Sequence, residues 1–281
     1  MRKDITLPAL AALGGVAGCF LRRWQLSSAY RPEAGLFVHG APATVVLLGF
    51  TAALTFIFLL LSLKKREGLD DFLPAFASPK TEQMTVLAAA GLLMFAAGCF
   101  GLRDGFRAFR LWRAAPEMYQ LSLPASLLLA GALFVPAGFA VLSMGRMAYR
   151  GALNHTGCLL SSIPALAGLV WLFATHLKHG TEPVLMKYAP SLFAVLLFTL
   201  AHYYIAGFFY GKPRPRRTLF CTLAGAAVGI ASLADGYGKG DVFTMAATTA
   251  FSLSCLGFAH ALLGGPWPDR MPPAEEEDQE E

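Results

Sequence analysis

The sequence predicts an all-α fold, a polytopic bundle of about eight membrane-crossing helices. Three observations carry that expectation. Eight apolar stretches of near-span length follow one another along the 281 residues. The short segments between them hold most of the charge, as where residues 51–63 (TAALTFIFLLLSL) run straight into Lys64-Lys65-Arg66. The composition is 56 % apolar and 15 % charged, against roughly 25 % charged in an average soluble chain. A helix needs about 20 apolar residues to cross the hydrocarbon core. In lipid every backbone N–H and C=O must be paired within the protein, which selects helices.

The predicted spans are 5–21, 41–63, 84–102, 121–144, 159–177, 188–209, 218–233 and 242–263. The first runs from Arg2-Lys3 to the belt Arg22-Arg23-Trp24, the second from Pro42 to the lysines at 64 and 65. The third follows Lys80 and stops at Arg103; the fourth begins around Pro124 and stops at Arg146. The fifth holds Pro164 near its start and ends at Lys178; the sixth opens at Pro190 and ends before Lys212. Arg214, Arg216 and Arg217 precede the seventh, and Asp241 precedes the eighth. Proline suits a first helical turn, where its missing N–H is not needed. Pro136 falls mid-span in the fourth helix and predicts a kink, of the sort that lines a cavity or merely serves packing. The domain division is a transmembrane domain over 1–263 and a tail over 264–281. That tail is acidic (Glu275-Glu276-Glu277-Asp278-Gln279-Glu280-Glu281), cannot bury apolar surface, and reads as disordered.

The net charge is +5 with the acidic tail included, so the rest of the chain is more basic, and its basic loops beside spans point to lipid headgroups and topology rather than nucleic acid. Five cysteines, at 19, 99, 158, 221 and 255, form no C-x-x-C pair. They read as small packing residues, with no metal set.

Val16-Ala17-Gly18-Cys19 after Arg2-Lys3 has the outline of a lipoprotein signal. The belt that follows Cys19 speaks against it, as does a second Ala-Gly-Cys-Phe word at 97–100. The first and third spans therefore both end on that word. Arginine and tryptophan follow in each case, and Pro42-Ala43-Thr44 or Pro124-Ala125-Ser126 opens the next span. Pro190-Ser191 opens the sixth in a similar way. We read a two-helix hairpin repeat. The element Leu21-Arg22-Arg23-Trp24…Gly40-Ala41-Pro42-Ala43-Thr44 resembles one in uncharacterised bacterial multi-pass membrane proteins. The resemblance covers the first loop region and implies no activity.

Eight spans put both termini on one side. Thirteen of the 23 lysines and arginines fall there and ten on the other, a weak bias toward cytoplasmic termini in a cell membrane. Arg22, Arg23, Arg103, Arg107, Arg110 and Arg113 oppose that bias and are expected to meet an anion, lipid headgroups first. If a helix continues past Leu102, Arg103, Arg107 and Arg110 share one face and Phe106, Phe109 and Trp112 an adjoining one.

No carboxylate pair lies inside a span; Asp235 and Asp241 flank Gly236-Tyr237-Gly238-Lys239-Gly240 at the membrane edge. That glycine-rich loop lacks the lysine-serine or lysine-threonine ending of a nucleotide loop and reads as a turn. His202 and His260 lie in the same half of two parallel spans, and an imidazole pair could hold a haem. The plain alternative is a hydrogen bond from each to a neighbouring helix. Thr244, Thr248 and Ser252 repeat every fourth residue; close packing is the plain reading, a polar conduit the sharper one.

These readings converge on a non-enzymatic multi-pass membrane protein, an anchor or accessory component of a membrane assembly. Its expected partners are the bilayer and, in the assembly, another membrane protein, with no nucleic acid and no cofactor. A permease for a small solute, suggested by the repeat and Pro136, is the alternative. A haem- or quinone-binding electron carrier using His202 and His260 comes third.

Overall fold

The computed structural model describes residues 3–64, 68–118, 120–180, 184–236 and 241–265. The acidic tail beyond 265, the loop at 237–240 and residues 65–67 lie outside that set. The protein is an all-α bundle. In chain order come α1 (Lys3–Ser28), a two-stranded antiparallel ribbon of β1 (Tyr30–Arg31) and β2 (Leu36–Phe37), α2 (Pro42–Ser62) and the short α3 (Phe72–Phe76). Then follow α4 (Thr81–Ala114), α5 (Ser122–Arg150), α6 (His155–Leu160) and α7 (Ile163–His179). A 3-10 turn (Leu185–Lys187), α8 (Ala189–Gly207), α9 (Pro215–Gly236) and α10 (Val242–Gly264) complete it. Among the described residues eight helices are long and apolar enough to cross a membrane, α6 with α7 counting as one. The protein is a multi-pass membrane protein.

Six helices pack in a closed ring, α4 on α5, α5 on α7, α7 on α8, α8 on α9, α9 on α10 and α10 on α4. Its centre is filled with aromatic side chains. Phe134 of α5 lies edge-on to Trp171 of α7 (5.6 Å) and to Phe251 of α10 (5.6 Å), and Phe198 of α8 stacks on Phe251 (5.4 Å). All four are buried. α1 lies outside the ring against α9 and α10, and α2 touches α1 and α9. The α9 span is 67 % buried and the α2 span 11 %, so α9 is central and α2 peripheral.

Small residues decide which helices touch closely. Gly91, Gly98 and Gly105 recur every seven residues in α4, as do Gly131, Gly138 and Gly145 in α5. A Cβ on Gly91 would lie 2.8 Å from the Gly138 carbonyl oxygen, and one on Gly98 would lie 3.0 Å from that of Gly131. The two helices thus run antiparallel with backbones in near contact. α1 meets α9 the same way: a Cβ on Gly15 would lie 2.9 Å from the Ala227 carbonyl oxygen.

Proline and histidine complement each other in α1. Pro8 lies inside the helix and lacks the N–H that would bond to the Asp4 carbonyl. His260 Nδ1 of α10 supplies the missing donor, 2.7 Å from that oxygen. Pro164 breaks the predicted fifth span into α6 and α7 for the same reason, with Asn154 capping α6 through Thr156 N–H (3.2 Å). α5 continues unbroken through Pro136, beside the α4 contact.

The segment after α2, expected to be a charged loop, is in part a buried cap. Phe72 and Phe76 of α3 are fully buried; Phe72 stacks on Phe209 (4.1 Å) and Phe76 meets Phe258 edge-on (5.4 Å). Its aromatic residues and the bundle's open end fit each other, which a span-by-span hydropathy reading does not register.

The hairpins α1–α2 and α4–α5 keep the order of sequence words but pack differently. Glycines draw α4 and α5 together, whereas α1 presents Gly14 to the Leu54 side chain of α2 (a Cβ would lie 2.7 Å from its Cδ2). α1 runs unbroken through Cys19 to Ser28.

Candidate functional site

The divergence of α2 from the ring leaves a groove between α2 and α8, floored by α1 and α9. Its volume is about 680 Å³, within the ~300–1,000 Å³ range of pockets that take a drug-sized molecule. Gly14 and Gly18 of α1 and Ala224, Ala227 and Ala231 of α9 floor it because they have almost no side chain to fill it. Leu47, Thr51, Leu54 and Phe58 of α2 form one wall, Phe193 and Leu197 of α8 the other. Leu48 and Phe193 also belong to the exposed outer surface, so the groove opens sideways where lipid lies.

One end of the groove is polar. Arg22, in the last turns of α1, is 1 % exposed. Its Nε donates to Asp235 Oδ1 of α9 at 2.7 Å and its Nη1 to Gln25 Oε1. Nη2 donates to the carbonyl oxygens of Met186 (3.2 Å) and Lys187 (2.9 Å) in the 3-10 turn. Gln25 Nε2 donates to Thr44 Oγ1 of α2 (3.0 Å), and Ser191 Oγ of α8 donates to Asp235 Oδ2 (3.3 Å). The Phe37 ring lies 5.8 Å from the guanidinium carbon, within cation–π range. One arginine therefore ties α1, α2, the 3-10 turn, α8 and α9 together at the face opposite the termini. A buried charge needs a partner and engaged donors; here Asp235 is the partner and four N–H groups of the guanidinium are engaged.

The six arginines expected to share an anion-contacting role divide into groups. Arg22 is buried in the network just described. Arg23, next in α1, is exposed. Arg103 is exposed and bonds to Asp104 (Nη2–Oδ1 2.9 Å). Arg107, Arg110 and Arg113 are exposed on the C-terminal turns of α4, which run on to Ala114. Sequence reasoning missed Gln25 and took Asp235 for a loop-edge residue. It did single out Pro42-Ala43-Thr44 and Pro190-Ser191, and Thr44 and Ser191 are the hydroxyls that complete the network.

The histidines serve separate contacts. His202 is buried, with Nδ1 at 2.9 Å from the Phe198 carbonyl and Nε2 at 2.9 Å from Ser254 Oγ of α10. Both nitrogens are engaged within the protein. His260 lies six residues beyond Ser254, about 9 Å further along α10, and binds the first turn of α1. Ser254→Ala leaves the buried Nε2 unpaired and is expected to cost about 1–3 kcal/mol in thermal or denaturant unfolding. The serine-threonine face of α10 is a packing face: Thr248 and Ser252 are buried, and a Cβ on Gly229 of α9 would lie 2.6 Å from Ser252 Oγ. Among the described residues no group of three or more His, Cys, Asp or Glu could hold a metal ion.

On the same face Asp241 caps α10 through Thr244 N–H (3.2 Å) and pairs with Lys178 at the end of α7. Burial acts to raise its pKa, but the Lys178 ammonium and the bonds from Thr244 together hold the carboxyl below the usual carboxylate range. A depressed pKa contributes stability above the unfolded value of about 3.9, and that contribution is lost as pH falls through the folded value. Asp241→Asn is therefore expected to lower the melting temperature at pH 7. Its gap from the native protein should close in acid below pH 4.

No protein-family model matches the chain, and no match is found among curated proteins or among solved structures.

Proposed function

We propose that this membrane protein is a non-enzymatic binding component of the cell membrane. It takes the apolar chain of a bilayer lipid into the groove between α2 and α8 and rests the lipid's head against the Arg22 network. The observation that carries this reading is the groove itself, apolar along its length and polar at one end. That distribution of surface suits an amphipathic molecule arriving from the side. Arg22 is neutralised by Asp235, so the polar end suits an uncharged or zwitterionic head better than a bare anion. The filled aromatic centre of the ring supports binding over a permease path along the bundle axis. The engaged nitrogens of His202 support it over a haem carrier. The bias of 13 lysines and arginines against ten supports cytoplasmic termini, and on that orientation the Arg22 network faces outward.

The test uses the full chain in phosphatidylcholine vesicles doped with a phosphatidylcholine that bears a photoactivatable acyl chain. Labelling is expected to concentrate on groove residues such as Leu54, Leu197 and Val228. Thr51→Trp, which fills the groove from α2, should remove it. Labels spread evenly over outward residues such as Leu13 and Leu92, unaffected by Thr51→Trp, would refute the reading.

A further inference from the structure

We propose that the projecting end of α4 is a docking surface for an acidic segment of a partner protein. It is separate from the groove and does not depend on it. α4 has 34 residues, about 51 Å at 1.5 Å per residue, against a hydrocarbon core of about 30 Å. Its apolar part ends at Leu102. The register that sets Gly91 against Gly138 and Gly98 against Gly131 places Ser122, the first residue of α5, opposite Arg107. Beyond that level α5 no longer accompanies α4.

Height above the bilayer separates the arginines. A headgroup layer is roughly 5–8 Å deep on each side. Arg103 and Arg107 fall within it, while Arg110 and Arg113 stand about 12 and 16 Å past Leu102 along the axis. Lipid phosphates account for the first pair, and the backbone of the second pair stands above the headgroup layer. The side chains around the second pair are not those of a solvated face. Leu111 is 52 % exposed and Met118, in the loop that follows, 77 %. Arginine and methionine are among the types enriched where proteins meet.

Charge names the partner's chemistry. Arg103 is balanced by Asp104. Arg107, Arg110 and Arg113 have no carboxylate within salt-bridge distance among the described residues. Glu117 in the adjoining loop is exposed and does not pair with them. A segment with Asp or Glu at three- to four-residue spacing meets this row in turn.

The experiment places the photocrosslinking residue p-benzoylphenylalanine at Leu111 of the full chain, in membranes of the cells that make it. The expected result is a protein adduct whose crosslinked peptide is rich in Asp and Glu. It should fall at least about tenfold, equivalent to about 1.4 kcal/mol, in the triple variant Arg107→Glu, Arg110→Glu, Arg113→Glu. It should persist when the same three positions become lysine. Reversing the partner's acidic residues to lysine should restore the adduct of the glutamate variant. A lipid adduct alone, an adduct to a non-acidic peptide or to a second copy of this chain, an adduct indifferent to charge reversal, or no adduct would each overturn the proposal. All three positions are exposed, so each variant is checked for an unchanged gel-filtration profile and melting temperature.

Discussion

Arg22→Ala is expected to destabilise the protein by about 3–5 kcal/mol, the range for removing one partner of a buried ion pair. The substitution removes the Arg22 Nε–H donor from Asp235 Oδ1. It also strips the Met186 and Lys187 carbonyls of their shared donor and frees Gln25. Those bonds join the 3-10 turn and α8 to α1, so the loss should open the polar end of the groove as well as lower stability. Arg22→Lys should recover only part, because one ammonium cannot match a guanidinium that donates in four directions. The double variant Arg22→Met with Asp235→Leu should recover more than Asp235→Leu alone, since no unpaired charge remains buried. Reversible unfolding in detergent or bicelles measures all four. An Arg22→Ala protein as stable as the native one would mean that the pair is solvated and the groove's polar end is not a sealed site.

Gly138→Val should cost about 3 kcal/mol, at the upper end of overpacking penalties. A Cβ at Gly138 would sit 2.6 Å from the Gly91 carbonyl oxygen and 3.0 Å from the Phe95 nitrogen. Both are backbone atoms of α4, which no rotamer change can move aside. The helices must separate over several turns, which loosens the contacts at Gly98 and Gly131 too. Gly49→Ala on α2 is the control, since nothing lies within 4 Å of a Cβ there. It should be neutral or slightly stabilising through helix propensity. Equal effects at the two positions would show that the seven-residue glycine spacing is not what holds α4 to α5.

Much of this architecture is legible in the chain because hydropathy is a local property. A run such as TAALTFIFLLLSL specifies a spanning helix with no knowledge of its neighbours. The same locality explains the errors. Phe72 and Phe76 lie in a short segment between charges, and only the aromatic end of the bundle, with Phe208, Phe209 and Phe258, makes them a buried cap. The seven-residue glycine rows of α4 and α5 are a local pattern that specifies a close antiparallel seam. Pro136, by contrast, is absent from the groove lining.

Hydropathy read along the chain is enough to make this a multi-pass membrane protein and to mark which segments are long and apolar enough to cross. Both follow from the transfer of individual segments between water and lipid. What the charges do depends on how the helices pack. Arg22 and Arg23 are neighbours with the same chemistry, but helix rotation points one into Asp235, 213 residues away, and leaves the other exposed. Arg107 and Arg110 differ from Arg22 because α4 outruns α5, whereas the end of α1 is enclosed by α2, α8 and α9. The cost of burying a charge is set by what surrounds it. That enclosure is made by helices far apart in sequence, and no local pattern encodes it.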